Sequence, residues 1–373
     1  MRPVPDPSAE LVRSLAAEMR SGLRRGAVRR MTVPLREVLT DTAGTRYLSM
    51  PAVSPDYGLF INKTATILSQ DARGAGATVT SVVSVFSATS GRFLGTMDGA
   101  AVTNLKCAAV TALVTDRCAA RSSRVLGIIG SGVQAREQYR AVSAVRDLTE
   151  VRVHSRTAAH AAAFAEHIAR VSPAGVRVVV CGTAAEASRG VDVLATATTS
   201  ARPLPISAEL PDHVHVNCVG AHTVEARELA ADLLRGSVLI VEDRTTAVAE
   251  AGELHRGAVE LDQLDSPAAD GFAGRRTVFS STGCASLDLI TCAHLVAAGA
   301  GPEAGLVMGE QPVPPADERD FDAVTRARGI RVPADLAPGV LAGHRALREL
   351  AALLRRAGVD RPEPPGRPEL SDG

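Results

Sequence analysis

The chain has 373 residues, 46% hydrophobic and 22% charged, with 41 basic residues balanced by 41 acidic ones. That length calls for about two domains with a substantial buried core, and excludes a lone helical bundle or a small disulfide scaffold. A net charge of zero gives no support to a nucleic-acid or membrane-surface role.

Residues 8–25 place Leu11, Leu15, Met19 and Leu23 at helical spacing behind Ser8, a candidate N-cap, so an amphipathic helix opens the chain. No apolar run of signal-peptide length precedes it, and no stretch reaches the roughly 18 apolar residues of a spanning helix, so a cytoplasmic location is expected. From about 45 to 97 come the β-rich runs TRYLSMPAV, GLFINKTATI, TVTSVVSVFSAT and RFLGTM, with Gly91 in a hairpin turn. Strands in succession without helices between them predict an antiparallel sheet, and its apolar positions Val79, Val83 and Val85 are expected at a subunit interface. A helical stretch, 98–121, then leads to strand VLGII at 125–129.

Beyond it, strand candidates at 151–154, 176–180, 192–197, 214–218 and 237–241 alternate with Ala-rich segments, the pattern of a doubly wound parallel sheet. A strand at 277–282 precedes an apolar helix at 284–298, Pro and Gly cluster at 299–316, and a further helix is expected near 339–357 before a disordered tail. The fold class is therefore α/β, a doubly wound sheet joined to an α+β domain with an antiparallel sheet. The expected division is 1–118 for the substrate and dimerisation domain, 119–282 for the dinucleotide domain, 283–330 for a returning segment and 331–373 for the extra helix and tail.

Cys107, Cys118, Cys181, Cys218, Cys284 and Cys292 show no CxxC or Cys/His ligand spacing, so they are read as reduced thiols and no metal is expected. All but two of the 41 basic residues are arginine, the exceptions being Lys63 and Lys106. In so lysine-poor a chain, each of these invites an individual reason.

GIIGSGVQA holds the clearest local motif: Gly130, Gly132 and Ala135 fill a GxGxxA pattern between a strand and a helix. The first glycine permits the tight turn, the second lets backbone approach a pyrophosphate, and the small third residue lets helix pack on strand. Gly130, Ser131, Gly132, Val133 and Gln134, with Thr196 and Val219 at later strand ends, are the expected dinucleotide contacts. After the second strand an acid would bind the ribose 2′-hydroxyl of NAD, but the chain has His154, Ser155, Arg156 and Thr157 there. Arg156 and Thr157 favour NADP(H) over NAD(H).

Five segments in order, MDGAAVTNLKCAAVTALV, LGIIGSGVQAREQY, EVRVHSRT, HVNCVGAHTVEAREL and FSSTGCASLDLITCAHL, carry a wider likeness. From about Arg30 to Ala298 the chain resembles the ornithine cyclodeaminase/mu-crystallin family. The resemblance implies a Rossmann domain, a homodimer, and NAD(P)-dependent chemistry at the α-carbon of a small amino or imino acid. Within it, Lys63 matches a family lysine near the substrate carboxylate and reacting nitrogen. Lys106 stands where most of the family has arginine, and an ammonium lacks the bidentate fork of a guanidinium. Arg36 aligns loosely with a family arginine, either as a second cation for the carboxylate or in a structural salt bridge. His222 replaces the aspartate of cyclodeaminases, as a proton shuttle or as a structural residue, and Leu48 replaces their glutamate.

These departures resemble the mu-crystallin-like reductases. The implied activity is an imine reductase or amino acid dehydrogenase, with Lys63, Lys106 and His222 catalytic and Arg36, Lys63 and Lys106 binding substrate. The alternatives are an ammonia-releasing cyclodeaminase and an NADPH-binding protein with little turnover.

Overall fold

A computed structural model describes residues 8–68, 79–208, 210–220, 223–224, 227–297 and 306–308. They fall within one unit, Val4–Gln311; the other, Met1–Pro3 with Pro312–Gly373, lies outside the described residues, as do the helix expected near 339–357 and the tail. Helix α1 (Ala9–Arg24) starts at Ser8, whose hydroxyl accepts the Leu11 N–H at 3.1 Å, and it buries the stripe Val12, Leu15, Met19 and Leu23. N-cap and apolar spacing thus act together.

Strands β1 (Glu37–Thr40), β2 (Arg46–Ser54), β3 (Leu59–Ile67), β4 (Val79–Ser87) and β5 (Phe93–Asp98) pair antiparallel in sequence order, and the short strand Leu306–Met308 adds beside β5. The register sets Met50, Lys63, Val83 and Met97 abreast on one face. That face packs against α1, α2 (Gly99–Cys118) and the helix Ala285–Ala297 in a single apolar cluster. The expectation for Val83 and Val85 is corrected here: both are buried in this chain's own core. Side chains alternate across a strand, so Leu39, Tyr47 and Val82 lie on the opposite face, which no helix covers among the described residues. β1 escaped the sequence pattern because all four of its residues are exposed and carry no hydrophobic alternation.

Helix α2 begins at Asp98, whose carboxylate accepts the Ala101 N–H at 2.8 Å. Every residue from Leu105 to Thr115 is buried, because α2 packs on the antiparallel sheet, on α1 and on the parallel sheet. A helix enclosed on all sides reads as apolar all round.

The second sheet is built from β6 (Val125–Ile129), α3 (Val133–Val145), β7 (Glu150–His154), α4 (Ala158–Val171), β8 (Arg177–Val180), α5 (Ala184–Ser188), β9 (Val193–Thr196), β10 (His215–Cys218), α6 (Ala231–Arg235), β11 (Val238–Val241), α7 (Arg244–Ala251), β12 (Val259–Glu260) and β13 (Thr277–Ser280). Its order is β12-β11-β13-β10-β9-β6-β7-β8, with every pair parallel. One apolar cluster covers the face under α3 and α4, and another covers the face under α5 to α7. This is the expected doubly wound sheet, and its strand order reverses between β6 and β9, the switch point where such sheets open a crevice. Helix α8 (Ala285–Ala297) leaves the end of β13 and returns to the first sheet. Among the described residues no helix is long and apolar enough to cross a membrane.

Candidate active site

Gly130 ends β6 with φ +119°, and a Cβ there would run into the Ala197 carbonyl on the other side of the switch point. Gly132, by contrast, faces open space, and α3 starts behind it with no side chain capping its N–H groups. A phosphate cradle needs a backbone turn only glycine adopts, clear room at the helix terminus, and unclaimed N–H donors. All three are present, so the residues fit a dinucleotide. The Ser131 hydroxyl meets that of Ser155 at 2.9 Å, tying the loop to the end of β7. Gln134, in the first turn of α3, donates to Asn104 of α2 at 3.1 Å, and its Oε1 is buried without a partner among the described residues.

Arg156 and Thr157 are exposed beyond β7, and Arg156 makes no hydrogen bond or ion pair among the described residues. Thr157 is the N-cap of α4, and its side chain makes no capping bond. Val219 is half-buried and donates its N–H to the Thr196 carbonyl at 3.0 Å. Thr196 itself is fully buried, with its hydroxyl given to Glu228 at 2.9 Å.

Between the sheets the two lysines converge. Lys63 points inward from β3 and donates to Asp288 Oδ2 of α8 at 2.5 Å, with the lysine 6% exposed and the aspartate 0%. Asp288 Oδ1 is buried with no partner among the described residues. Lys106, on α2, is equally buried. Burial acts to lower its pKa, but the neighbouring Cys107, Asp288, Glu242 and Cys284 outweigh it and hold the ammonium above its ordinary value. The two carboxylates carry that effect at neutral pH, because burial pushes the Cys107 thiol up and that of Cys284 up to about 11.

The loop after β13 closes the cluster. Glu242, just past β11, accepts the Ser281 hydroxyl and the N–H groups of Thr282 and Gly283, the latter two at 3.2 Å. Gly283 has φ +75°, and a Cβ there would lie 3.3 Å from Lys106 Nζ. Arg36 reaches the same loop: it donates to the Thr282 and Gly283 carbonyls at 2.8 Å and pairs with Glu250 at 2.5 Å. Its guanidinium thus grips the loop, while burial raises the Glu250 carboxyl.

His222 lies outside the described residues. Asp288 and Glu242 were not anticipated from sequence, although each carries a signal: Asp288 is the lone charge among apolar residues of α8, and Glu242 directly follows a buried parallel strand.

The sequence model of the ornithine cyclodeaminase/mu-crystallin family matches residues 8–298. Rat ketimine reductase mu-crystallin is 32% identical over 262 residues, covering 69% of this chain and 82% of that protein. Among solved structures, Thermococcus litoralis Δ1-pyrroline-2-carboxylate reductase with NADH and L-proline aligns with TM-score 0.66 and 26% identity over 78% of this chain and 93% of that one. A lysine cyclodeaminase, described with L-lysine, L-ornithine and L-2,4-diaminobutyric acid, aligns with TM-score 0.72 and 28% identity over 85% and 94%. With the glycine loop and the buried lysines in place on this fold, the chain belongs to the ornithine cyclodeaminase/mu-crystallin family.

Proposed function

We propose that this chain is an NAD(P)H-dependent oxidoreductase acting at the α-carbon of a small amino or imino acid, working as an imine reductase or amino acid dehydrogenase, with NADP(H) as the preferred cofactor. The observation that carries this reading is the buried cluster of Lys63, Asp288 and Lys106 beside the carboxyl edge of a sheet whose glycine loop fits a dinucleotide. When bound, the nicotinamide supplies or accepts the hydride at the α-carbon. Lys106 neutralises the substrate carboxylate from α2. Lys63 serves the substrate nitrogen from Nζ, which its hydrogen bond to the buried Asp288 carboxylate aims. Burial of all three groups excludes water, which strengthens each charge interaction.

The face of the antiparallel sheet that no described residue covers, with Leu39, Tyr47 and Val82 exposed, supports a homodimer. Six unpaired cysteines support a reducing, cytoplasmic setting.

Incubation with NADPH or NADH and cyclic imino acids, or α-keto acids with amines, beside ornithine and lysine with NAD⁺, tests the reading. Stoichiometric loss of nicotinamide absorbance is the expected result. Ammonia release without net absorbance change assigns a cyclodeaminase instead, and cofactor binding with neither reaction removes the enzyme reading.

A further inference from the structure

Glu228 is completely buried, and its carboxylate collects donors from two separate loops. Oε1 accepts the Thr198 N–H at 2.7 Å and the Thr198 hydroxyl at 2.6 Å. Oε2 accepts the Thr196 hydroxyl and the Gly220 N–H, both at 2.9 Å, with Cys218 Sγ at 3.7 Å. Thr196–Thr198 lies at the end of β9 and Cys218–Gly220 at the end of β10, so one side chain staples two neighbouring loops on the carboxyl edge of the sheet. The packing is close enough that a Cβ on Gly220 would overlap both the Glu228 carboxylate and the Thr198 carbonyl.

No cation pairs with Glu228 among the described residues, and the described groups that face its carboxylate are hydroxyl, thiol and backbone N–H donors. An acid is retained because each of its oxygens faces a backbone N–H, which can only donate. Glutamine has one oxygen and one NH2 group, and in either orientation the NH2 must confront the N–H of Thr198 or of Gly220. The two stapled loops lie across the switch point from β7, whose end faces the adenosine half of the crevice.

We infer that Glu228 is a positioning residue that fixes the nicotinamide-side wall of the dinucleotide crevice by locking the β9 and β10 loops together. The inference rests on the dinucleotide reading above. It acts at one half of the cofactor only, so the two halves respond differently when the staple is weakened.

The test titrates the full chain, Glu228→Gln and Thr196→Val with NADH and NADPH, and with ADP-ribose and its 2′-phosphate, the same molecules without nicotinamide. Glu228→Gln is expected to weaken the dinucleotides about tenfold, the effect of one broken buried hydrogen bond, while the truncated ligands bind within about twofold of wild type. Thr196→Val is nearly isosteric and removes only the buried hydroxyl that Glu228 accepts, so its expected few-fold loss on the dinucleotides alone carries the test where Glu228→Gln does not fold. An equal loss for both ligand types marks a general structural role and overturns the inference. Unchanged dinucleotide affinity in the variants overturns it as well. Wild type that binds none of the four ligands instead overturns the dinucleotide reading on which it stands.

Discussion

Lys63 and Asp288, 225 positions apart in the chain, meet as a buried ion pair at 2.5 Å that joins β3 of the antiparallel sheet to α8. Breaking one side of such a pair strands the other charge and costs about 3–5 kcal/mol, whereas replacing both with apolar groups is often neutral. Lys63→Met and Asp288→Leu are each expected to lower stability by that order in urea unfolding, and the double variant should recover most of it. Turnover should be absent in Lys63→Met and in the double variant, with dinucleotide affinity unchanged, because the phosphate loop is untouched. Full activity in Lys63→Met removes the lysine from the chemistry.

At Lys106 the neighbouring backbone decides what a longer cation does. Nζ lies 3.3 Å from where a Cβ on Gly283 would sit, and Gly283 is held by Glu242 on one side and Arg36 on the other. The loop has no freedom to retreat from a planar guanidinium. Lys106→Arg is therefore expected to reduce kcat/KM at least about tenfold, since a small misplacement at a reacting centre is expensive, while cofactor Kd stays constant. Wild-type kinetics in this variant identify the lysine as drift from the family arginine.

The sheets, the glycine loop and both lysines were legible because each is written locally: strand alternation, a GxGxxA turn, and two lysines in a chain otherwise supplied with arginine. Periodicity placed β2 to β11 and α1 to α3 to within a few residues, but it did not say which face of β4 is covered. Val83 and Val85 look the same as interface or as core until α2 and α8 are packed on them. Asp288, Glu242 and Glu228 act through partners tens to hundreds of positions away, and no short-range pattern encodes that. For Arg36 the sequence left a substrate cation and a structural salt bridge both open, and the fold adds its contacts with the Thr282 and Gly283 carbonyls and with Glu250.

A pH dependence follows from His215, buried at the base of β10 between Thr277 at 2.8 Å and Asn217 at 3.1 Å. Burial, reinforced by Arg146 and opposed by the Asn217 hydrogen bond, pushes its pKa down to about 3 from the ordinary 6.5. The unfolded chain then binds more protons between these values, so this contribution is complete above about 6.5 and declines as pH falls toward 3, by about 1.4 kcal/mol per unit. His215→Gln should show a shallower loss of unfolding free energy from pH 7 to 4.5, with about 2–3 kcal/mol less change than wild type. Parallel curves for the two proteins contradict the buried neutral histidine.

Assembly is the next expectation. Leu39, Tyr47 and Val82 are 70%, 43% and 44% exposed on the face of the antiparallel sheet that no described helix covers. A symmetric dimer would bury them, and charge placed there should prevent it. Leu39→Asp combined with Val82→Asp is expected to convert a dimer into a folded monomer by light scattering at micromolar concentration. A wild-type monomer under those conditions rules out the homodimer.

The proposed preference for NADP(H) turns on Arg156, exposed beyond β7 and engaged with no other described residue. A guanidinium already paired would have to break that contact before taking a phosphate; Arg156 does not, and neither an aspartate nor a glutamate stands at positions 154–157 to repel the 2′-phosphate. A charge-assisted contact to phosphate is worth about 1.5–3 kcal/mol, and solvent around this exposed side chain places it at the low end, roughly a tenfold preference for NADPH over NADH. Arg156→Ala should remove most of that preference by weakening NADPH while leaving NADH within about twofold, because NADH has no phosphate to lose. Loss of both cofactors together points to a folding defect, which the melting temperature detects. An unchanged NADPH to NADH ratio in a well-folded variant shows that Arg156 does not read the 2′-phosphate.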